Sequence, residues 1–265
     1  MSKEDISLVY SFKMENDISY FKSMPTEVQI SAECNAASVI YESFIICADQ
    51  DYLTARLLAQ ESLPRGFFWA AAQTTEKYLK AFLLLNGVSV KAFKQHPIIE
   101  LFECAAKIDS NLKNINISPH SLFHIEPSMS HHLKKFTTSE FLSDLETHGS
   151  PDNRYNSFGV EYNTGHLCAL DALSFHLREK IHAPDISHSL KKLSQKLISS
   201  FKENNPWFHP EIKSPIPVPS EEFPINISSS VTKLEFLIKH RSNPAYDIAL
   251  KWLDSKMKLP KTAKP

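Results

Sequence analysis

Residues 66–87 read GFFWAAAQTTEKYLKAFLLLNG, an uninterrupted run of good helix formers. Pro64 precedes the run, and Asn86-Gly87 is the stop signal typical of a helix whose chain turns left-handed just past its end. Small and apolar side chains recur at helical spacing, namely Phe68, Ala71, Ala72, Thr75, Tyr78, Leu79 and Phe82. The run therefore predicts a central helix with one face in a core and a waist of small residues.

The segments on either side of this run also show helical spacing of apolar residues. Residues 27–62 form one helical pattern that is longer than an ordinary globular helix, so we expect a break near Asn35. Asp49, Asp51 and Arg56 are predicted to lie on its solvent side or to face a partner. Further helices are predicted over residues 96–106, 139–147 with Ser139 as the N-cap, 166–182, 190–201, 229–241 and 244–256.

Composition favours a helical globular protein. The chain has 265 residues, of which 42% are hydrophobic, and this is enough to form one large core or two modest ones. Only five glycines occur, which argues against a turn-rich β protein. We therefore predict an all-α fold.

The charge balance excludes a strongly basic protein. Lysine and arginine number 29 against 30 acidic side chains, so a phosphate-binding surface would have to be a local patch. The four cysteines (Cys34, Cys47, Cys104 and Cys168) show no zinc-ligand spacing and are expected to be reduced, half-buried thiols. Histidines are frequent between residues 109 and 165, but none has the spacing of a closed metal site, so we expect neither metal nor cofactor.

Targeting signals are not expected. The first residues, MSKEDISLVYSF, carry early acids and no apolar core of signal length. No run of about 18 apolar residues occurs anywhere. These patterns predict a cytoplasmic protein that does not span a membrane.

The central run resembles the second helix of the HEPN family, small α-helical domains named for higher eukaryotes and prokaryotes and for nucleotide binding. The matching residues are Ala71, Ala72, Gln73, Glu76, Lys77, Tyr78, Leu79, Lys80, Ala81 and Leu83. The order of neighbouring patterns also fits: an acidic helix before the run, a Lys94-x-His96 segment after it, and an Asn153-Arg154-Tyr155 turn before another helix. The resemblance covers roughly residues 35–183.

The resemblance implies an architecture and a setting. It implies a HEPN-like antiparallel four-helix up-and-down bundle over residues 30–183. Outside the resemblance, the residue patterns predict an N-terminal arm (1–29) and a C-terminal helical extension (184–265) with a proline-rich linker at about 204–228. The resemblance also implies a homodimer in a bacterial defence or toxin–antitoxin-like system. The implied partner is a nucleotidyltransferase-like antitoxin or another defence protein.

The implied ligand is RNA or a nucleotide phosphate. Lys77, Lys80, Arg154 and Arg178 are the basic residues that we predict to bind it, in a non-catalytic or weakly catalytic protein. For Arg154, which lies in a turn, anchoring of the loop and contact with phosphate both remain open. Phosphate contacts of this kind weaken as salt rises.

Catalysis is the alternative. Many HEPN proteins carry a ribonuclease motif of Arg followed by four to six residues and then His on the last helix, where His moves a proton and Arg stabilises charge on phosphate. In this chain Arg178 and His182 come closest, one residue short of that spacing, but positions i and i+4 share a helix face. A metal-independent endoribonuclease toxin using this pair, or a histidine between His120 and His132, is the second hypothesis. A helical scaffold that docks a larger protein is the third.

Overall fold

The computed structural model describes residues 10–93, 97–123, 133–150, 162–190, 193–210 and 233–259, except for the side chain of His188. The residues in these ranges form helices, turns and connecting segments without any strand. The prediction of an all-α fold is therefore confirmed for this part of the chain.

The α-helices are numbered in chain order. They are α1 (Thr26–Ile40), α2 (Ile46–Gln60), α3 (Pro64–Leu85), α4 (Ile98–Ile108), α5 (Thr138–His148), α6 (Thr164–Ile181), the single turn α7 (Ser187–Leu190), α8 (Gln195–Lys202), α9 (Lys233–Lys239) and α10 (Pro244–Lys256). Short 3₁₀ helices occur at Met14–Asn16, Phe21–Ser23 and Ser110–Asn114.

Contacts divide the chain into two compact units. Unit 1 comprises Met1–Ile46, Lys80–Lys94 and Asn226–Pro265, and unit 2 comprises Cys47–Leu79 and Gln95–Ile225. The described residues 10–46 and 233–259 thus belong to one unit. The sequence-based boundaries at residues 30 and 184 remain predictions.

Unit 1 is built around the contact between α1 and α10, with α9 packed on both helices. The segment before α1 contributes buried side chains to this unit, because Phe12 meets the fully buried Trp252 edge-on at 5.4 Å between ring centroids. Val90 donates its backbone N–H to the carbonyl of Lys256 at 2.8 Å. The described residues before α1 are therefore part of the core of this unit.

The end of α3 confirms the predicted stop signal. Gly87 has a φ of 75°, and the N–H of Val88 bonds to the carbonyl of Leu83 at 2.9 Å, which is the bond that closes a helix through a left-handed residue. A Cβ at Gly87 would also lie 2.5 Å from the carbonyl oxygen of Phe12. Glycine is required here by both backbone conformation and close packing.

The break predicted near Asn35, in the helical pattern of residues 27–62, lies further along the chain. Asn35 lies inside an unbroken α1, where its side-chain amide donates to the carbonyl of Ser31 at 2.6 Å and is satisfied within the helix. The irregularity is instead a π-helical segment at Tyr41–Ile45, which joins α1 to α2. A π turn accommodates an extra residue without ending the helix, so hydrophobic spacing alone does not locate it.

Other helix ends differ from prediction by a few residues. Thr137, not Ser139, caps α5, because Thr137 and Glu140 form a reciprocal capping box. The pattern predicted as one helix over residues 190–201 is interrupted at residues 193–194, before α8 begins, and α9 ends at Lys239 rather than at residue 241. Most of the predicted proline-rich linker falls in residues 211–232, outside the described ranges.

The small-residue waist of α3 lies against the end of α5. A Cβ added at Gly149 would lie 2.4 Å from the Cβ of Ala72 and 2.7 Å from the carbonyl oxygen of Phe68. Neither a methyl group nor a helix backbone can yield easily at such distances. The two helices therefore approach closely because both contact surfaces lack side-chain volume.

We expect Gly149→Ala to lower the free energy of unfolding by about 1–3 kcal/mol, because the added methyl group overpacks this contact. The matched control is Gly66→Ala in the first turn of α3, where the new Cβ would meet only the movable end of Leu58. Urea denaturation of both variants measures the difference. Equal stability of the two variants would contradict the close contact of α3 with α5.

Candidate functional site

Two helices of unit 2 carry the same pair of charged residues at the same spacing. Asp49 and Arg56 lie on α2, Asp171 and Arg178 lie on α6, and each aspartate precedes its arginine by seven residues. Seven residues are nearly two helical turns, so each pair shares one face of its helix. Asp49 bonds Arg178 while Arg56 bonds Asp171, which requires the two helices to run antiparallel.

The first ion pair joins Arg56 to Asp171 and is fully buried. The hydroxyl of Tyr52 donates a second hydrogen bond to Asp171 at 2.7 Å. Arg56 also donates from Nε to the carbonyl of Ser200 at 2.9 Å, and from its terminal nitrogen to the carbonyl of Glu203. The pair thus connects α2 and α6 to backbone atoms of the segment that follows α6.

The second ion pair, between Asp49 and Arg178, is arranged in the same way. Asp49 accepts hydrogen bonds from Arg178, from the hydroxyl of Tyr78 at 2.5 Å and from the hydroxyl of Ser189 at 2.5 Å. Arg178 donates another bond to the carbonyl of Pro184. A buried carboxylate with several donors is stabilised in its charged form. This pair also fixes the start of the segment after α6.

Burial dominates the electrostatics of both pairs. It raises the pKa of the Asp49 and Asp171 carboxyls, and the neighbouring arginines oppose that rise. Burial raises the pKa of the Tyr52 hydroxyl well above its ordinary value, and the nearby carboxylate adds to that rise. For Arg56, burial lowers the pKa, but Asp171 outweighs it and the net shift is upward. The tyrosine therefore remains a neutral donor and Arg56 remains charged.

A cleft of about 1200 Å³ opens between the end of α6 and the segment formed by residues 183–209. Its charged and titratable lining consists of Arg178, Glu179, His182, Asp185, Lys202 and His209. Its aromatic lining consists of Phe175, Phe201, Trp207 and Phe208. Flat rings and cationic or imidazole groups are thus combined in one concave surface within unit 2.

Trp207 is the centre of an aromatic cluster at this cleft. Its ring lies 5.3 Å from Phe175, 5.0 Å from His176 and 4.8 Å from His120, measured between centroids. These contacts are tilted or edge-on, which aromatic quadrupoles favour. Phe208, the next residue in the chain, packs against Phe175 at 5.5 Å. The indole is therefore held by neighbours on several elements.

Arg178 and His182, the predicted catalytic pair, both line this cleft. Only 6% of Arg178 is exposed, and its guanidinium is bonded to Asp49 and Pro184. His182 has a φ of 51° and follows the last residue of α6, so the expected sharing of a helix face at i and i+4 does not apply to it. Its backbone N–H bonds to Glu179, and Ala183 N–H bonds to Arg178, which together form a left-handed helix cap.

The other predicted binding residues lie elsewhere. Lys77 is half-buried in unit 2, bonded to Asp51, and is not among the lining residues of the cleft. Lys80 is half-buried in unit 1. Arg154 lies outside the described ranges, as do His124, His131 and His132. Of the predicted phosphate-binding set, Arg178 alone is described as part of the cleft.

Asp49, Arg56 and Asp171 have a buried role that was not predicted. Asp49 and Arg56 were expected on the solvent side or against a partner, whereas both face α6 inside the same chain. A signal was available, because the Asp-x₆-Arg spacing occurs twice and each residue falls on an otherwise apolar stripe. Trp207 lies in the predicted proline-rich linker (about 204–228), where no site residue was predicted.

Metal binding and membrane crossing find no support in the described ranges. These ranges contain no group of three His, Cys, Asp or Glu side chains able to hold a metal ion. Within them, no helix has the length and apolar character that crossing a bilayer requires. All four cysteines are reduced thiols; Cys168 is buried and the others are half-buried.

Comparison of the chain with known protein families, curated proteins and solved structures finds no match. The HEPN relationship therefore stays a prediction from the residue pattern of the central run.

We expect Arg56→Met to lower the free energy of unfolding by about 3–5 kcal/mol, because Asp171 would remain buried without its counter-ion. The double variant Arg56→Met/Asp171→Leu should cost less than the sum of the two single variants, since no lone charge is left behind. The matched control is Lys113→Met, which removes an exposed ion pair with Glu103 and should cost at most about 1 kcal/mol. A similar cost for Arg56→Met and Lys113→Met in urea denaturation would contradict a buried ion pair at Arg56.

We expect His182→Gly to raise the free energy of unfolding by about 1 kcal/mol, because glycine adopts the left-handed cap without steric cost. His182→Ala is the matched control, since it also removes the imidazole but keeps a Cβ, and it should not stabilise the protein. Both are measured by urea denaturation. Equal free energies of unfolding for the alanine and glycine variants would contradict a left-handed backbone conformation at residue 182.

Proposed function

We propose that this chain binds RNA or nucleotide phosphates in the cleft beyond α6, as a non-catalytic or weakly catalytic protein. The observation that carries the proposal is the combination, in one cleft, of aromatic rings with the cation Lys202. Nucleotides present flat bases and anionic phosphates, and these two surface types complement them.

The aromatic lining supports contact with bases. The ring of Phe175 contacts the rings of both Trp207 and Phe208. Stacking of a base on an aromatic side chain is tolerant of base identity, because every base has a π face. The cleft volume of about 1200 Å³ also leaves room for more than a single small ion. An unpaired nucleotide fits these properties better than a duplex does.

The charged lining supports a modest phosphate contact. Lys202 is the cation that can move toward a phosphate, whereas Arg178 already neutralises Asp49. Glu179 and Asp185 also line the cleft, and Glu179 bonds His176 at 3.1 Å. Because both signs of charge are present, base contacts should contribute a large share of the affinity and phosphate contacts the rest.

A non-catalytic role follows from the groups that cleavage would need. A metal-independent ribonuclease of the Arg/His type uses a cation on the transition-state phosphate and a histidine to move a proton. Arg178 is engaged by Asp49 and Pro184, and His182 serves as a helix cap. Burial, followed by the nearby Lys202, lowers the pKa of His209, which disfavours the protonated imidazole that a general acid needs. These assignments favour binding over cleavage.

The wider setting rests on the resemblance alone. We extend the proposal to a HEPN-like four-helix arrangement, a homodimer, and a cytoplasmic role in a bacterial defence or toxin–antitoxin-like system. A nucleotidyltransferase-like antitoxin or another defence protein is the proposed partner. The residues of the central run are what supports these statements.

A metal-independent endoribonuclease is the second candidate. The observation that favours it is that Arg178 and His182, with three residues between them, line the same cleft at a capped helix end. The His182→Gly variant separates the two roles, since it keeps the fold and removes the imidazole. Cleavage of RNA in EDTA by the native chain, lost in this variant, would support the endoribonuclease in place of a simple binder.

We expect Lys202→Gln to weaken binding of a short fluorescein-labelled oligouridine several-fold. It should also reduce the slope of log affinity against log salt by about 0.7, the value for one phosphate contact on a single strand. Fluorescence anisotropy over a salt series measures both quantities.

The matched control is Lys196→Gln on the same helix, where Lys196 pairs with Glu61 and is not among the cleft residues. It should leave affinity and slope unchanged. Binding that is indifferent to ionic strength, or equally affected by the two variants, would contradict a phosphate site at Lys202.

A further inference from the structure

A buried histidine lies in the first turn of α6 and is not among the lining residues of the cleft. His166 is 1% exposed. Its ring centroid lies 5.1 Å from that of Phe68 on α3 and 4.5 Å from that of Phe136, in the segment before α5. Tyr162 stacks on the ring at 5.8 Å. Since imidazole is the side chain that ordinarily changes charge near neutral pH, a proton taken up here would place a charge among these rings.

Both ring nitrogens of His166 are engaged in hydrogen bonds. The backbone N–H of Asn163, the N-cap residue of α6, donates to Nδ1 at 3.0 Å. Nε2 lies 3.3 Å from the carboxylate of Asp144 on α5. A ring nitrogen that accepts a hydrogen bond carries no proton, so Nε2 carries the hydrogen and donates it to Asp144. These bonds select one neutral tautomer of the imidazole.

The same contacts attach the segment before α5 to the start of α6. The backbone N–H of Lys134 donates to the side-chain oxygen of Asn163 at 3.0 Å, and the Lys134 ammonium lies 3.0 Å from Asp144. A Cβ at Gly165 would lie 1.9 Å from the carbonyl oxygen of Lys134, so the two backbones meet directly. We call the contacts among His166, Asn163, Asp144 and Lys134 the His166 latch.

Burial and the neighbouring charges act in opposite directions on the proton of His166. Burial lowers the pKa of His166, and the hydrogen bonds with Asn163 and Asp144 oppose that shift. The ammonium of Lys134 adds to the lowering, and the net shift of the pKa is downward. The folded chain therefore favours the uncharged ring more than solvent does.

The other groups packed around the ring are aromatic or remain neutral. Phe68 supplies the contact from α3, and His148 on α5 packs on the same Phe68 ring at 4.9 Å. Burial raises the pKa of the Tyr162 hydroxyl to about 12, so this neighbour carries no charge at neutral or acidic pH. Asp144 is thus the anion that faces His166 in this cluster, and Lys134 is the cation.

We propose that the His166 latch is an acid-sensitive contact, in which protonation of His166 releases the segment before α5 from the start of α6. A proton on Nδ1 would face the N–H of Asn163, so the N-cap bond is lost. The Asn163 carbonyl, also 3.0 Å from Nδ1, already accepts the backbone N–H of His166 at 2.8 Å. Asp144 attracts the imidazolium, but it is 27% exposed and is shared with Lys134.

The direction of the pH dependence follows from the lowered pKa. An exposed imidazole takes up its proton near pH 6.5, and His166 in the closed latch does so at a lower pH. The latch is therefore fully formed above that value and is lost as the pH falls from 6.5 toward the pKa of the folded state. One proton changes the equilibrium between closed and open latch by at most about tenfold per pH unit.

Hydrogen exchange followed by NMR tests the latch in the full chain. Protection factors of the Lys134 and Gly165 amides, which both bond the Asn163 side chain, should fall several-fold between about pH 7.5 and about pH 5.5, after correction for intrinsic exchange. In His166→Gln the fall should be absent, because glutamine at this position also forms a capping box but does not titrate. The control His240→Gln removes an exposed histidine of unit 1 and should keep the native fall.

Protection that is equal at both pH values in the native chain overturns the inference. An equal fall in native protein and His166→Gln also overturns it, since another group would then be titrating. A second measurement covers the case that His166→Gln does not fold, and it follows the ring resonance of His166 during a pH titration. Asp144→Asn should lower the pKa of His166 further, because it removes the nearby anion. A native midpoint at or above 6.5, or one that Asp144→Asn raises, contradicts the latch.

Discussion

The reciprocal ion pairs between α2 and α6 are the constraint on which unit 2 depends. Each helix contributes one aspartate and one arginine two turns apart, and the antiparallel arrangement matches each charge with its opposite. A register shift of one turn would leave four buried charges without partners, at a cost that exceeds the stability of an ordinary domain. The pairs therefore select one alignment of the two helices more sharply than apolar side chains would.

The same pairs determine where the cleft lies. Arg56 and Arg178 have donors left over after bonding their aspartates, and backbone carbonyls of Pro184, Ser200 and Glu203 accept them. The segment after α6 is thus attached to the helices through the charged groups that hold the helices together. Tyr52, which bonds Asp171, contacts both Asn205 and Phe208, and these two residues lie on either side of Trp207 in the sequence. The position of Trp207 is therefore linked to the ion pairs.

Much of the fold was predictable because its signals are local. The start and end of α3 follow from Pro64 and from the glycine past its last turn, and both lie within a few residues of the helix that they bound. The break was predicted near Asn35 but lies at Tyr41–Ile45, because an extra residue in a helical turn leaves apolar spacing almost unchanged. For the cleft, Arg178 and His182 were predicted from a family pattern, whereas Trp207 and Lys202 come from a stretch with no motif.

The sequence by itself determined that the described chain is helical and where most helices begin and end, since spacing, caps and glycine act over a few residues. Only the tertiary structure decided which charged side chains are buried. The partners of Arg56 and Arg178 lie 115 and 129 residues away along the chain, and no local pattern specifies contacts at that separation. The cleft also depends on contacts between residues far apart in the sequence. Its aromatic and charged side chains come together only when the ion pairs of Arg56 and Arg178 hold the segment after α6 against the end of α6.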